Sequence, residues 1–333
     1  MSEKDARVTT EAENPDAGEG RSTKTSKDKR PSVALVLGAG GARGLAHIGV
    51  IDVLRERGYR IAAIAGASMG ALVGGICAAG KLDDYRDWAC ALERADVMRL
   101  LDFAFGHPGL IKGDRVIAEL RRLVGEHRIE ELDLPFVAVA TDLANRREVW
   151  LTRGKLFDAV RASIAIPMVF TPHRIDGREL VDGGLLAPIP IAATRMFAAD
   201  LVMAVDANSQ SVLPIKKDEQ TQTRTKTADK QSNGNGLRAR IEAWIEGLME
   251  PASPEPAQPG LLDLMSRSLD AVQSRISQTQ LALDPPDVLV RIPHRSCFFY
   301  EFWKTSEMIE IGREAAKLAI DRYEDTVVPD RRG

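Results

Sequence analysis

The chain has 333 residues, of which 44% are hydrophobic and 28% charged, a composition that suits a folded protein with a substantial core. Its formal net charge of -3 and its pI near 6.0 give no general reason to expect nucleic acid as a partner, and none is predicted. The three cysteines lack the number and spacing of a disulfide framework or a zinc site, and they indicate a reducing compartment such as the cytoplasm.

The first 31 residues carry no aromatic side chain and mix charges of both signs with Ser, Thr and Gly. Such a segment is neither a secretory signal nor a folded element, so residues 1–31 are predicted to be a disordered tail. The folded domain is predicted to span residues 32–325, and residues 326–333 are predicted to be a second tail.

Apolar segments of strand length alternate with helical patterns along the domain. "SVALVLG" precedes a helix predicted from about Ala42 to Arg57, and "IAAIA" precedes a helix predicted from Met69. "PFVAVATDL", "LVMAVDA" and "DVLVRIP" are further apolar segments separated by helical stretches. This alternation is typical of an α/β protein whose buried sheet is largely parallel.

The segment from Ile61 to Gly80 is uncharged and long enough to be mistaken for a membrane span. Its five glycines disfavour a helix in lipid, because glycine costs roughly 1 kcal/mol relative to alanine in a helix interior. A strand, a sharp turn and a helix fit better, with "GASMG" at the turn. The spacing Gly-x-Ser-x-Gly places Ser68 between Gly66 and Gly70, where a serine hydroxyl stands clear of the sheet. The motif indicates a nucleophile, although close helix packing would also explain the glycines.

A second glycine-rich loop, in "LVLGAGGARGLAHIGV", follows the first strand and opens a helix. A dinucleotide-binding loop is one interpretation, but Arg43 stands where a third glycine or alanine is expected. The second strand also ends in "GAS" rather than in an acidic residue for a ribose, so no cofactor is predicted. The backbone N–H groups of Gly40, Gly41 and Ala42 would instead form a cradle for an oxyanion at the helix N-terminus.

A nucleophilic serine needs a base, and two candidates follow it in the chain. The hairpin "HRIDGRELVDGG" places Asp182 at the end of its second strand, before Gly183 and Gly184. A carboxylate between an apolar strand and two glycines can be partly desolvated and still be reached by a hydroxyl, although a plain Asp-Gly turn is the simpler interpretation. His294 follows Asp182 in the sequence, so a Ser-Asp-His triad is the alternative.

Residues 207–259 contain polar and proline-rich stretches that predict a flexible insertion in the domain. Within it, residues 237–249 place five apolar side chains at helical spacing on one face: Leu237, Ile241, Trp244, Ile245 and Leu248. The pattern predicts an amphipathic helix, which either packs on the protein's own surface or makes a transient contact with a membrane surface.

The order of "GAGGARG", "GASMG" and "DGG" resembles the patatin-like phospholipases, in particular their bacterial members related to the neuropathy target esterases. The resemblance extends to "RASIAIPMVFTP", to "PIPIAATRMFAADLVMAVDA" and to a C-terminal segment, so it covers most of residues 32–323. It implies a three-layer α/β fold with a central, largely parallel sheet. It also implies a serine hydrolase that cleaves fatty acyl esters of phospholipids or lysophospholipids without a metal or cofactor.

Within this resemblance, a catalytic Ser-Asp dyad falls on Ser68 and Asp182. The oxyanion hole falls on four consecutive residues, Gly40, Gly41, Ala42 and Arg43. One departure is Ala39, where many members of the family have glycine, and its methyl group would narrow access to the loop. A catalytically weak, membrane-associated adaptor that keeps the fold is therefore a further alternative.

Overall fold

The structure is a computed structural model of the chain and describes residues 31–102, 111–210 and 261–327. Within these residues the strands are β1 Ser32–Leu37, β2 Arg60–Ala67, β3 Phe136–Asp142, β4 Arg147–Leu151, β5 His173–Ile175, β6 Arg178–Asp182, β7 Leu201–Ser209 and β8 Val288–Pro293. The α-helices are α1 Ala46–Glu56, α2 Met69–Ala78, α3 Leu82–Cys90, α4 Arg94–Leu100, α5 Asp114–Val124, α6 Leu156–Ser163, α7 Leu261–Leu283 and α8 Thr305–Val327. None of these described helices combines the length and the apolar character needed to cross a bilayer.

Several element ends differ from those predicted. The helix predicted from Ala42 begins with a 3-10 turn, Gly41–Leu45, and becomes α-helical at Ala46, because the glycine-rich loop enters it in a non-helical conformation. Residues 207–209, predicted to begin the flexible insertion, are the last residues of β7. Residues 326–327, predicted to begin the C-terminal tail, are the last residues of α8. Residues 1–30 of the predicted tail and the helix predicted at 237–249 lie outside the described residues.

In the sheet, each strand of the path β5-β6-β3-β2-β1-β7-β8 is hydrogen-bonded to the next, and β4 also pairs with β3. The pairs β1–β2, β1–β7, β2–β3 and β7–β8 are parallel, whereas the pairs made by β4, β5 and β6 are antiparallel. The predicted α/β fold with a central, largely parallel sheet and flanking helices is confirmed. β5 and β6 form the predicted hairpin, whose turn residues Asp176 and Gly177 both have positive φ, as a two-residue turn requires.

The register of β3 brings the ends of two distant strands together. β4 pairs with residues 138–142 of β3, so β2 and β6 share the other side of that strand. β2 pairs with β3 as far as Val139, which is opposite Ala67, and β6 takes over at Ala140, which is opposite Asp182. The residue that follows β2 therefore lies beside the residue that ends β6.

The two faces of the sheet pack against different layers. Leu35 and Leu37 of β1 belong to the main core, which they share with buried side chains of α1, α2 and α8. Val36 points to the opposite face and packs with Ile189 and Ile191 in a smaller cluster, which the Leu281 side chain of α7 helps to cover. Because both faces are buried, the strands read as continuous apolar runs rather than as alternating ones.

The crossing of α1 and α8 depends on two glycines, and a substitution there is expected to destabilise the fold. A Cβ at Gly312 would lie 2.0 Å from the carbonyl oxygen of Ala46, and one at Gly49 would lie 2.0 Å from that of Ile309. We therefore expect Gly312→Ala to lower the free energy of unfolding by about 1–3 kcal/mol, measured by urea denaturation. Gly177→Asn is the control, since that turn has open space and asparagine tolerates positive φ. An unchanged Gly312→Ala midpoint would contradict the packing described.

Candidate active site

Ser68 occupies a sharp corner between β2 and α2. Its backbone angles are φ 54° and ψ -124°, a strained conformation for a residue with a side chain. A Cβ at Gly66 would lie 2.3 Å from the carbonyl oxygen of Gly70, and one at Gly70 would lie 2.0 Å from that of Leu37. The corner is thus possible only with glycines on both sides of the serine, which is the geometry that the spacing Gly-x-Ser-x-Gly predicts.

The Ser68 hydroxyl donates a hydrogen bond to Asp182. The distance from Ser68 Oγ to Asp182 Oδ2 is 2.6 Å, and both residues are buried, with 4% and 2% of their surfaces exposed. The other carboxyl oxygen, Oδ1, accepts from the backbone N–H of Gly184 at 2.7 Å. A Cβ at Gly183 would lie 2.0 Å from the carbonyl oxygen of Val139, so the turn after Asp182 packs directly on β3. The structure therefore brings together two residues that are 114 positions apart.

The environment of Asp182 changes its acidity. Burial raises the pKa of the Asp182 carboxyl from an ordinary value near 3.8 to about 7, against the opposing effect of the hydrogen bonds from Ser68 and Gly184. Half of the carboxyl groups are then ionised near pH 7. A carboxyl group with this pKa can accept a proton from a serine and return it within one catalytic cycle at neutral pH.

Ser163, the last residue of α6, holds the backbone of Ser68 in place. Its Oγ accepts a hydrogen bond from the Ser68 backbone N–H at 2.9 Å and donates one to the Val139 carbonyl at 2.6 Å. Ser163 is not among the site residues predicted from the sequence. The signal available was weak, since Ser163 is simply the one polar side chain in the apolar stretch "ASIAIP".

The glycine-rich loop lies at the end of β1, and its backbone amide groups differ in their partners. Among the described residues, the backbone N–H groups of Gly40 and Gly41 have no protein acceptor. The N–H of Ala42, by contrast, donates to the carbonyl of Phe299 at 2.8 Å. Of the three amides predicted to form an anion cradle, the structure leaves the first two available and uses the third to fasten the loop. No local sequence signal marks Phe299, because it acts through its backbone carbonyl.

The side chain of Arg43 fastens the same loop. Its Nε donates to the Gly40 carbonyl and one terminal nitrogen donates to the His294 carbonyl, both at 3.1 Å, and the other terminal nitrogen lies 3.6 Å from Asp270 Oδ1. Only 5% of Arg43 is exposed, so its guanidinium faces protein groups rather than solvent.

The methyl group of Ala39 packs inside the protein. A Cβ at Gly184 would lie 2.6 Å from the Ala39 Cβ, so the methyl occupies space between the glycine-rich loop and the turn after Asp182. Ala39 is 6% exposed, and its backbone N–H donates to the Pro188 carbonyl at 2.8 Å. The departure from glycine at this position therefore fills a contact between two loops.

The described histidines make no hydrogen bond with the Ser68 or Asp182 side chain. His294 contributes its carbonyl to Arg43 and its backbone N–H to the Ser209 carbonyl. His47 is fully buried, its ring Nε2 donates to the Gly38 carbonyl at 2.9 Å, and burial lowers its pKa to about 4. The predicted alternative, a triad through His294, thus has no supporting contact. Likewise, the described part of the chain contains no group of His, Cys, Asp and Glu side chains arranged to hold a metal ion.

Comparisons with known proteins identify the family. The family model described as patatin-like phospholipase matches residues 35–195, which include the glycine-rich loop, Ser68 and Asp182. An uncharacterized NTE family protein of Mycobacterium tuberculosis is 39% identical over 334 residues, covering 88% of this chain and 92% of that protein. The chain belongs to the NTE family of patatin-like phospholipases. The family assignment made from sequence motifs is confirmed, and the chain is placed among lipid-hydrolysing esterases.

More distant relatives of this NTE family member are much longer proteins. Lysophospholipase NTE1 of Pyricularia oryzae is 29% identical over 285 residues, which covers 84% of this chain and 18% of that protein. Human patatin-like phospholipase domain-containing protein 6 is 31% identical over 294 residues, which covers 86% of this chain and 20% of that protein. The similarity to these proteins is therefore confined to one segment of each.

Proposed function

We propose that this NTE family protein hydrolyses fatty acyl esters of phospholipids or lysophospholipids through a dyad of Ser68 and Asp182. The observation that carries the proposal is the 2.6 Å hydrogen bond from Ser68 Oγ to a buried carboxyl group whose pKa is raised to about 7. The family membership and the lysophospholipase name of one relative support the choice of a lipid ester as substrate.

The proposed reaction proceeds in two acyl transfers. Asp182 takes the proton of the Ser68 hydroxyl while Ser68 Oγ attacks the ester carbonyl carbon, forming a tetrahedral oxyanion. The carbonyl is restored as the ester C–O bond breaks, and Asp182 returns the proton to the departing alcohol oxygen. Water then attacks the acyl-serine, with Asp182 again accepting a proton, and the fatty acid leaves as Asp182 reprotonates Ser68.

The oxyanion is proposed to bind at the glycine-rich loop. The N–H groups of Gly40 and Gly41 are without protein acceptors among the described residues and lie at the start of the 3-10 turn that leads into α1. Two backbone donors fixed in a buried site stabilise developing charge more effectively than water does. Ala42 and Arg43, which the sequence resemblance included in the hole, are proposed to support it rather than to contact the oxyanion.

Transient contact with a membrane surface is part of the same proposal, because phospholipid substrates reside in bilayers. The segment predicted to make that contact, residues 237–249, lies outside the described residues. Comparing hydrolysis of vesicle lipid and of a soluble ester before and after deletion of residues 211–258 tests this part. If the deletion changes neither the rate on vesicle lipid nor the rate on the soluble ester, the insertion has no part in the proposed membrane contact.

The substrate class is tested with a panel of phospholipids, lysophospholipids and neutral glycerides, with products identified by mass spectrometry. The expected result is release of free fatty acid from at least one phospholipid or lysophospholipid by the wild-type protein and none above background by Ser68→Ala. Release of fatty acid from neutral glycerides alone would support esterase activity but contradict the proposed substrate class. No release from any ester would favour the alternative of an adaptor with a patatin-like fold.

The rate is expected to rise with pH up to about 7. Protonated Asp182 cannot accept the serine proton, so kcat/KM on a neutral ester should fall about tenfold per unit of pH below the pKa of the carboxyl group and be constant above it. The measurement is a pH–rate profile from pH 5 to 9, with the Ser68→Ala rate subtracted at each pH. A profile that is flat down to pH 5 would contradict the raised pKa of Asp182.

Replacement of His294 is expected to leave both the rate and the pH profile nearly unchanged. A pH–rate profile alone does not identify the base, and His294→Ala separates the dyad from the triad. The substitution keeps the backbone carbonyl that accepts from Arg43, and the loop is therefore expected to remain fastened. Loss of activity in folded His294→Ala protein would favour the triad over the dyad.

A further inference from the structure

The buried guanidinium of Arg43 connects the glycine-rich loop to two distant segments. Its hydrogen bonds reach Gly40 within the loop and His294 after β8, and its ion pair reaches Asp270 on α7. Asp270 is partly exposed, with 42% of its side chain accessible, whereas Arg43 is 5% exposed. The arginine is thus a buried cation whose charge is balanced by a carboxylate at the edge of the site.

The hydrogen bond to Gly40 has a consequence for the next amide. The carbonyl of Gly40 and the N–H of Gly41 belong to one planar trans peptide group, in which the C=O and N–H bonds point in opposite directions. When Arg43 Nε holds that carbonyl at 3.1 Å, it also fixes the direction of the Gly41 N–H. A cation at the carbonyl oxygen further polarises the peptide, which strengthens the N–H as a donor.

The other fastening of the loop acts on the next peptide. The Ala42 N–H donates to the carbonyl of Phe299 at 2.8 Å, which fixes the peptide after Gly41. With Ala42 occupied in this way, the Gly41 N–H is one of two amides left for an oxyanion in the described part of the loop. Its orientation therefore depends on a side chain that does not itself face the reacting atoms.

We infer that Arg43 and Asp270 are positioning residues of the oxyanion site: Asp270 holds the Arg43 guanidinium, which holds the Gly40–Gly41 peptide with its N–H directed at the oxyanion. This inference rests on the proposed function. It assigns no contact between Arg43 and a lipid head group, because the three nitrogens of the guanidinium already face the Gly40 and His294 carbonyls and Asp270.

The test compares variants of both residues on a soluble fatty acyl ester. Asp270→Asn is expected to lower kcat about tenfold and to leave KM within about twofold of wild type. This fall in kcat is smaller than the ~10²–10³-fold cost of losing one oxyanion donor, because the Gly41 N–H is still present. Arg43→Met should approach that full cost, and Arg43→Lys should not restore the rate, since one ammonium cannot reach two carbonyls and a carboxylate together. Asp270→Glu keeps the carboxylate and is expected to recover most of the rate.

A second readout separates positioning from a purely structural role. The phosphonyl oxygen of a fluorophosphonate would occupy the oxyanion site, so the rate of Ser68 labelling should fall by the same factor as kcat in each variant. Asp52→Asn is the matched control, because it removes another carboxylate paired with arginines, Arg86 and Arg313, in the helical layer. The control is expected to leave kcat and labelling rate unchanged, whatever its effect on the midpoint of unfolding.

The outcomes distinguish this inference from the proposed function. If Ser68→Ala abolishes hydrolysis but Asp270→Asn and Arg43→Met keep wild-type kcat and labelling rates, only the positioning role is wrong. The same holds if their rates fall only in proportion to the folded fraction. If Ser68→Ala hydrolyses the ester as fast as wild type, the dyad itself is wrong and the positioning role falls with it.

Discussion

Ser68→Ala and Asp182→Asn are each expected to reduce ester hydrolysis by about 10⁴-fold or more, the size of loss seen when a member of a catalytic unit is removed. Ser68→Ala removes the oxygen that forms the acyl-enzyme. Asp182→Asn leaves a side chain of the same shape that cannot accept the serine proton. Steady-state rates on a soluble fatty acyl ester, measured at pH 8 so that the carboxyl group is ionised in the wild type, give both numbers.

The double variant provides a sharper test than either single one. Because the two side chains act on the same proton, the double variant should be little slower than Ser68→Ala alone. Losses that multiply would show that the two residues act independently and would contradict the dyad. Circular dichroism and thermal unfolding of all three variants serve as the control, since neither substitution adds volume to the site.

Gly41→Val is expected to lower kcat by about 10²–10³-fold, the cost of losing one oxyanion donor. Gly41 has φ +55°, and a Cβ there would lie 2.6 Å from the carbonyl oxygen of Phe299, the group that fastens the loop through Ala42. A β-branched side chain must therefore move the loop away from Phe299. The resulting displacement of the Gly41 N–H is measured as a fall in kcat. The unfolding midpoint is measured beside it to show that the variant is still folded.

A matched glycine separates backbone strain from the clash. Gly80, two residues after the end of α2, also has positive φ, +70°, but a Cβ there would meet nothing within 4 Å. Gly80→Val should therefore cost about 1–2 kcal/mol of stability and leave kcat unchanged. If Gly41→Val is fully active, the oxyanion does not bind at this loop.

Local patterns in the sequence were sufficient for the parts of the site that depend on neighbouring residues. The corner at Ser68 follows from two glycines that flank it within one pentapeptide, and the β5–β6 hairpin follows from its Asp-Gly turn. The alternation of apolar segments likewise predicted the largely parallel sheet, because buried strands and amphipathic helices have different periods. These features are encoded over distances of a few residues.

The parts that the sequence could not supply depend on register and on long-range contacts. The meeting of Ser68 and Asp182 follows from the change of partner along β3, from Ala67 opposite Val139 to Asp182 opposite Ala140. No local pattern in the sequence encodes that register. The pairing of Ser68 with Asp182 was therefore predicted from the resemblance to a family.

The support of the glycine-rich loop was also hidden from the sequence. The hydrogen bond from Arg43 to the His294 carbonyl spans 251 positions, and backbone carbonyls carry no residue-type signal. The motif could therefore suggest which residues form an oxyanion loop but not which of its amides remain free. In the described part of the chain, the Ala42 N–H donates to the Phe299 carbonyl, whereas the N–H groups of Gly40 and Gly41 have no protein acceptor.

The most direct test of the proposed dyad is to label the protein with a fluorophosphonate probe and locate the adduct by mass spectrometry of its peptides. The proposed Ser68–Asp182 dyad predicts a single adduct on Ser68 in the wild type, strongly reduced labelling in Asp182→Asn, and none in Ser68→Ala. An adduct on another serine, or a wild-type protein that is not labelled above the Ser68→Ala background, would contradict it.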